Sequence, residues 1–150
     1  MRLYSAYTLT IGALYFLYGV LCAWAWLNSW LGGGAAEFLG AVPDAGLAIA
    51  LATIGILLLS MSRREIDESF KATASLIGAG LGITLMVLQL MITGANTLDA
   101  YFLSAVGEEV EADFLTGLAR VDVVLGALSI PILMRAYREV RRIVRVAERS

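Results

Sequence analysis

The chain has 150 residues, is 59% hydrophobic, and carries a mean hydropathy of +0.79 with a formal net charge of −2. A chain this apolar points to membrane-embedded helices rather than to a soluble domain of the same size. One cysteine, Cys22, excludes an intrachain disulfide, and the lack of histidine excludes His-ligated haem, most zinc and copper sites and His-based triads.

The first apolar segment runs from Leu3 to about Leu27, roughly long enough to cross ~30 Å of hydrocarbon. Tyr4 and Tyr7 lie near its start and Trp24, Trp26 and Trp30 near its end, the arrangement of an interfacial aromatic belt. Anchoring is the simpler reading of these rings; a stacking platform for an aromatic ligand has no polar partner to support it. Ala23-Trp24-Ala25 matches a signal-peptidase site in form, but the apolar run exceeds a usual signal core, and the segment reads as an uncleaved anchor.

Gly32-Gly33-Gly34 ends this helix, and Pro43-Asp44 suits the start of the next, with the carboxylate facing the positive end of the helix dipole. The second span covers Ala45 to about Met61. A charged turn, Ser62-Arg63-Arg64-Glu65-Ile66-Asp67-Glu68, joins it to a third span over about 70–93. Lys71 at the entry of that span is placed to snorkel. Ala74, Gly78 and Gly82 recur every fourth residue, and small residues at that spacing permit close helix packing where lipid offers no hydrophobic drive. The contact is expected within one bundle, with a homo-oligomer seam as the alternative. Gln89 and Thr93 make the outer end of this span polar.

The connection from Gly94 to about Leu115 holds five acids and no base. Leu98, Phe102 and Ala105 recur at helical spacing, which predicts a short surface helix along the membrane. The acids lack the spacing of a calcium loop and read as a solvated face. The fourth span, about 115–134, contains Arg120 and Asp122, the only charges inside an apolar segment, followed by Gly126 on the face of Asp122. Counted from Leu115, Asp122 falls roughly 10 Å inside the span. At ~100° per residue it stands about 200° from Arg120, so the two do not pair along a helix. The span ends in six arginines; Arg135, Arg138, Arg142, Arg145 and Arg149 share one face of a basic amphipathic extension over 135–150. That face predicts contact with anionic lipid headgroups or with a partner.

Ten of the eleven Lys and Arg residues fall on one side if the N-terminus is cytoplasmic, and the opposite loops, 32–44 and 94–114, hold none. The predicted fold is therefore all-α, a single polytopic bundle of four transmembrane helices with both termini cytoplasmic, located in the plasma membrane. Weak internal similarity at an offset of 71 residues, Gly46-Leu47-Ala48 against Gly117-Leu118-Ala119, hints at a duplicated hairpin. No P-loop, dinucleotide fingerprint, nucleophile elbow or Cys-x-x-Cys is present, so no cofactor, metal or nucleic-acid partner is expected. Three functions fit. A non-catalytic subunit or scaffold of a homo- or hetero-oligomeric membrane assembly comes first. A small ion- or proton-coupled transporter or channel would use Asp122, with Arg120, Gln89 and Thr93 as its polar neighbours. A lipid-modifying enzyme would want more intramembrane acids than this chain has.

Overall fold

The computed structural model describes residues 2–31, 42–60, 67–106 and 118–147, and among them the chain is entirely helical. Four long helices account for nearly all of these residues: α1 (Arg2–Trp30), α2 (Ala45–Leu59), α3 (Glu68–Ala105) and α4 (Val121–Ala147). Two of them, α1 and α3, are long and apolar enough to cross a membrane, while α2 is apolar but shorter. The charged turn at Arg63-Arg64, the acids Glu108, Glu109, Glu111 and Asp113, and Arg149 lie outside the described residues.

The helices start where the backbone can be capped. Asp44 holds an extended conformation and its Oδ1 accepts from the N–H groups of Gly46 (2.7 Å) and Leu47 (3.2 Å), so α2 begins at Ala45. Within the helices, hydroxyls are satisfied locally: Thr8, Thr10, Thr53, Thr73, Ser75, Thr84, Thr97 and Ser129 each donate to the carbonyl four residues earlier. Such back-bonding lets a hydroxyl sit in apolar surroundings without a partner helix.

Two boundaries differ from the sequence reading. The third helix does not stop near Thr93; it runs unbroken to Ala105, so the predicted surface helix is the last turns of α3. Gly94 and Asn96 look like a break, yet the helix runs through both, and Thr97 Oγ1 bonds the Thr93 carbonyl at 2.8 Å within it. The fourth helix begins at Val121 rather than near 115, because the chain leaves helical geometry at Ala119-Arg120. Beyond Met134 it continues without a break into the arginine-bearing extension.

The bundle is built from two tight pairs, α1 with α2 and α3 with α4; α2 meets α3, and α1 meets α4 along a narrower seam. Each buried stripe steps by three and four residues, as in left-handed helix packing. On α1 it comprises Thr8, Ile11, Tyr15, Tyr18, Cys22 and Ala25, and on α4 Asp122, Leu125, Ser129, Ile132 and Ala136. The first pair is held at backbone contact. A Cβ on Gly19 would stand 2.8 Å from the Ala52 nitrogen, and one on Gly55 2.6 Å from the Phe16 nitrogen. The second pair closes at Gly126, where a Cβ would collide with Met86 and stand 2.9 Å from the Gly82 carbonyl oxygen. Gly78 faces Leu57 and Leu58 of α2, and Ala74 is buried on the same helix.

These contacts rank glycines by consequence. Gly55→Val should destabilise the purified protein by ~1–3 kcal/mol, the usual cost of overpacking. Gly94→Ala, at a helical position with nothing within 4 Å, should stabilise by ~0.5–1 kcal/mol. Thermal unfolding in mild detergent, followed by size-exclusion chromatography, reads both; equal tolerance of the two changes would contradict the tight α1–α2 contact.

Candidate functional site

The seam between α1 and α4 carries polar contacts at several levels, and it contains the buried charge. At the arginine-bearing end, Tyr4 Oη donates to the Ile132 carbonyl at 3.2 Å and the Arg135 guanidinium lies 4.4 Å over the Tyr4 ring. Tyr7 Oη donates to the Leu128 carbonyl at 2.7 Å. This turn of α4 contains Pro131, which has no N–H to offer the carbonyl of Ala127 and so weakens the ladder locally. Deeper in, the Ser129 hydroxyl donates to the Leu125 carbonyl at 3.0 Å, which leaves its oxygen to accept from Tyr15 Oη at 3.2 Å. Gly82 of α3 makes room there: a Cβ would stand 2.5 Å from Tyr15 Oη.

At the other end sits Asp122, whose side chain has no exposed surface. The sequence reading separates it from Arg120; the structure pairs them. Arg120 precedes the helix, so helical angular spacing does not apply, and its guanidinium folds back onto the carboxylate in a fork: Nε to Oδ1 at 3.2 Å and Nη2 to Oδ2 at 3.0 Å. The Val123 N–H donates to Oδ1 at 3.0 Å. Asp122 therefore lies in the first turn of α4, where the helix dipole favours a negative charge, and not two turns inside the span. Tyr18 and Cys22 of α1, both buried, lie within electrostatic reach of both members of the pair.

The other proposed neighbours are not partners of this carboxylate. Gln89 is buried and Thr93 half-buried on α3, but among the described residues Asp122 bonds to Arg120 and to the Val123 backbone. Gly126 and Ser129 do share the buried face of Asp122. Sequence reasoning overlooked Tyr15, Tyr18 and Cys22; the signal was their spacing with Thr8 and Ile11, which continues the Tyr4 face of α1 turn after turn. On the tryptophan end of α1, Trp24 and Trp30 are 68% and 80% exposed, and Trp26 packs on Trp30 with ring centroids 6.4 Å apart. That exposure suits anchoring, and among the described residues no aromatic platform encloses these rings.

The arginines of α4 form a second polar region. Arg135, Arg138, Arg142 and Arg145 are all exposed, and the first three line an open groove of about 550 Å³ with Pro131, Met134 and Glu139. A separate cavity of about 240 Å³ opens between α1, α3 and α4 near Tyr4.

The asymmetry of the buried pair yields a prediction. Arg120 keeps 31% of its side-chain surface and can turn to solvent when its partner is removed, whereas Asp122 has nowhere to go. Arg120→Ala should therefore destabilise more than Asp122→Asn, and the double variant should recover part of the loss. A double-mutant cycle from thermal melts should give a coupling of ~1–3 kcal/mol, at the lower end because Arg120 is partly solvated.

Comparison with known proteins adds one match. Among curated proteins and among solved structures no match was found. A family model, that of the MJ0565 integral membrane domain, matches residues 2–142, which takes in all four helices up to Arg142. The chain is an integral membrane protein, and it belongs to the MJ0565 integral membrane domain family.

Proposed function

We propose that this protein is a non-catalytic subunit or scaffold of a membrane assembly, crossing the plasma membrane four times with both termini cytoplasmic. The observation that carries this reading is the full internal use of Asp122: bound by Arg120 and a backbone N–H, with no exposed surface, it acts as a clasp at the start of α4. An ion- or proton-coupled site needs a carboxylate that a substrate reaches; this one is closed. An unpaired intramembrane acid would cost ~2.5–3.5 kcal/mol on insertion scales, and the fork removes most of that cost.

The aromatic and basic markers support the placement. From Tyr4 to Trp24 is a rise of ~30 Å at 1.5 Å per residue, the thickness of the hydrocarbon layer. Asp122, packed near Cys22, then sits close to the non-cytoplasmic interface, where Arg120 reaches the headgroups. Lys71 and Arg135 gather at the opposite end with Tyr4, in keeping with a positive cytoplasmic side. The exposed arginines of α4 meet anionic lipid there, while Tyr137 and Val144, 57% and 49% exposed on the other flank of the helix, suit contact with another subunit.

Topology is tested by single cysteines in a Cys22→Ser background. Ser104→Cys, at an exposed position on the last turn of α3, should label only from outside; labelling only from the cytoplasm would overturn the scheme. Function is tested in liposomes and in the host. The wild type should pass no ion under pH or sodium gradients, Asp122→Asn should keep its host function, and crosslinking in native membranes should recover a stoichiometric partner or a second copy. Gradient-driven flux abolished by Asp122→Asn would replace the scaffold with a transporter. Separately, Arg138→Gln, Arg142→Gln and Arg145→Gln together should weaken binding of the protein to anionic lipid by ~1 kcal/mol per charge, read by lipid exchange in nanodiscs.

A further inference from the structure

The cavity of about 240 Å³ between α1, α3 and α4 is lined by Tyr4 and by four charged residues, Glu68 and Lys71 of α3 and Arg135 and Glu139 of α4. Its charges are ordered. α3 enters the bundle from Glu68 toward Lys71, and α4 leaves it from Arg135 toward Glu139. Gly82 and Ser129 meet further inside, a Cβ on the glycine standing 3.2 Å from the Ser129 hydroxyl oxygen, so the direction of both helices is fixed. Counted outward from that contact, Arg135 lies innermost, Lys71 and Glu139 stand about level with each other ~6 Å further out, and Glu68 is outermost. None of the four pairs with another: among the described residues the only ion pair within 4.0 Å is Arg120 with Asp122. Arg135 is instead held against the Tyr4 ring, and the small side chains of Ala72, Ser75 and Ala136, all buried, floor the space.

An innermost cation and an outermost acid, with one charge of each sign between them and none of them paired, match a ligand that is itself bipolar. We propose that this cavity binds the headgroup of an aminophospholipid, a phosphodiester joined through two carbons to a primary amine. In a bilayer the phosphate of such a lipid lies at the glycerol level and the amine further toward water. Lys71 and Arg135 would take the phosphate oxygens as charge-assisted donors, and Glu68 and Glu139 the ammonium. The volume, about eight waters at ~30 Å³ each, holds such a headgroup without burying the acyl chains. A choline headgroup offers no N–H to the carboxylates, and a glycerol headgroup offers no cation. A purely anionic lipid gains from the cations and meets the acids unfavourably. The exposed arginines beyond Arg135 lie outside this cavity, so general attraction to anionic lipid does not account for it.

The protein, delipidated in mild detergent, is exchanged into nanodiscs of equimolar phosphatidylethanolamine, phosphatidylglycerol and phosphatidylcholine, and retained lipids are read by native mass spectrometry after release. Phosphatidylethanolamine should be retained over each of the other two by about tenfold, equivalent to ~1.4 kcal/mol. Glu68→Gln with Glu139→Gln should abolish the preference over phosphatidylglycerol, and Lys71→Gln with Arg135→Gln should lower retention of all three. Thr84→Ala, at an exposed position outside the cavity, should leave the preference unchanged. Glu68 and Glu139 are exposed, so their variants retain the fold, which circular dichroism verifies. No preference in the wild type, or a preference that survives loss of both carboxylates, overturns the proposal. Soluble phosphoethanolamine is the second arm: thermal stabilisation as large as that given by the lipid would assign the cavity to a soluble phosphate ester instead.

Discussion

Backbone contact between α1 and α2 sets the geometry on which the other helices depend. Hydrocarbon does not push helices together, so their association rests on how closely two surfaces fit. Here the fit is made by leaving side chains out. Gly19 lies against Ala48 and Ala52, and Gly55 against Phe16, so the two helices approach until main-chain atoms touch. That brings Leu51, Ile54 and Leu58 into one core with Ile11, Tyr15 and Tyr18. Gly82 and Gly126 repeat the device between α3 and α4.

The seam between the two pairs works differently, since it is narrower and carries hydroxyls and charge. Three tyrosines of α1 reach α4 in succession, two of them onto main-chain carbonyls beside Pro131 and one onto Ser129. Hydrogen bonds of this kind have no water to compete with at mid-depth, yet each is short-ranged and depends on the register of both helices. The buried pair of Arg120 and Asp122 closes the far end of the same seam. A subunit that must present apolar faces to lipid or to a partner gains from keeping its own polar groups answered internally. The structural role proposed above rests on this economy.

How much of this was legible beforehand divides along physical lines. Hydropathy and aromatic punctuation suffice for an all-helical membrane chain and for the start of α2 at Asp44, because these depend on local sequence. The glycines of α3 were visible as a repeated spacing, whereas Gly19 and Gly55, which lie against main-chain atoms of the facing helix, are not part of such a run of three. Gly94 marks a helix end by sequence, but a lone glycine is tolerated inside a long helix and α3 runs on to Ala105. Arg120 and Asp122 were separated by assuming helical geometry for both. One non-helical residue is enough to turn a pair that cannot meet into a fork that does, and nothing in Leu118-Ala119-Arg120 announces the break. The cavity beside Tyr4 was out of reach for a further reason: its four charged residues come from two helices running in opposite directions, and only their relative register sets Arg135 at its inner end and Glu68 at its outer end.

Cys22 gives the α1–α4 seam a built-in reporter. The chain has a single thiol, and it is fully enclosed beside Tyr18. A membrane-permeant thiol reagent therefore reacts only with molecules whose α1 has moved away from its neighbours. Its rate, compared with that of a free thiol, measures the population of this open form directly in the bilayer. Opening becomes a quantity that can be followed with lipid composition, without unfolding the protein and without introducing a probe.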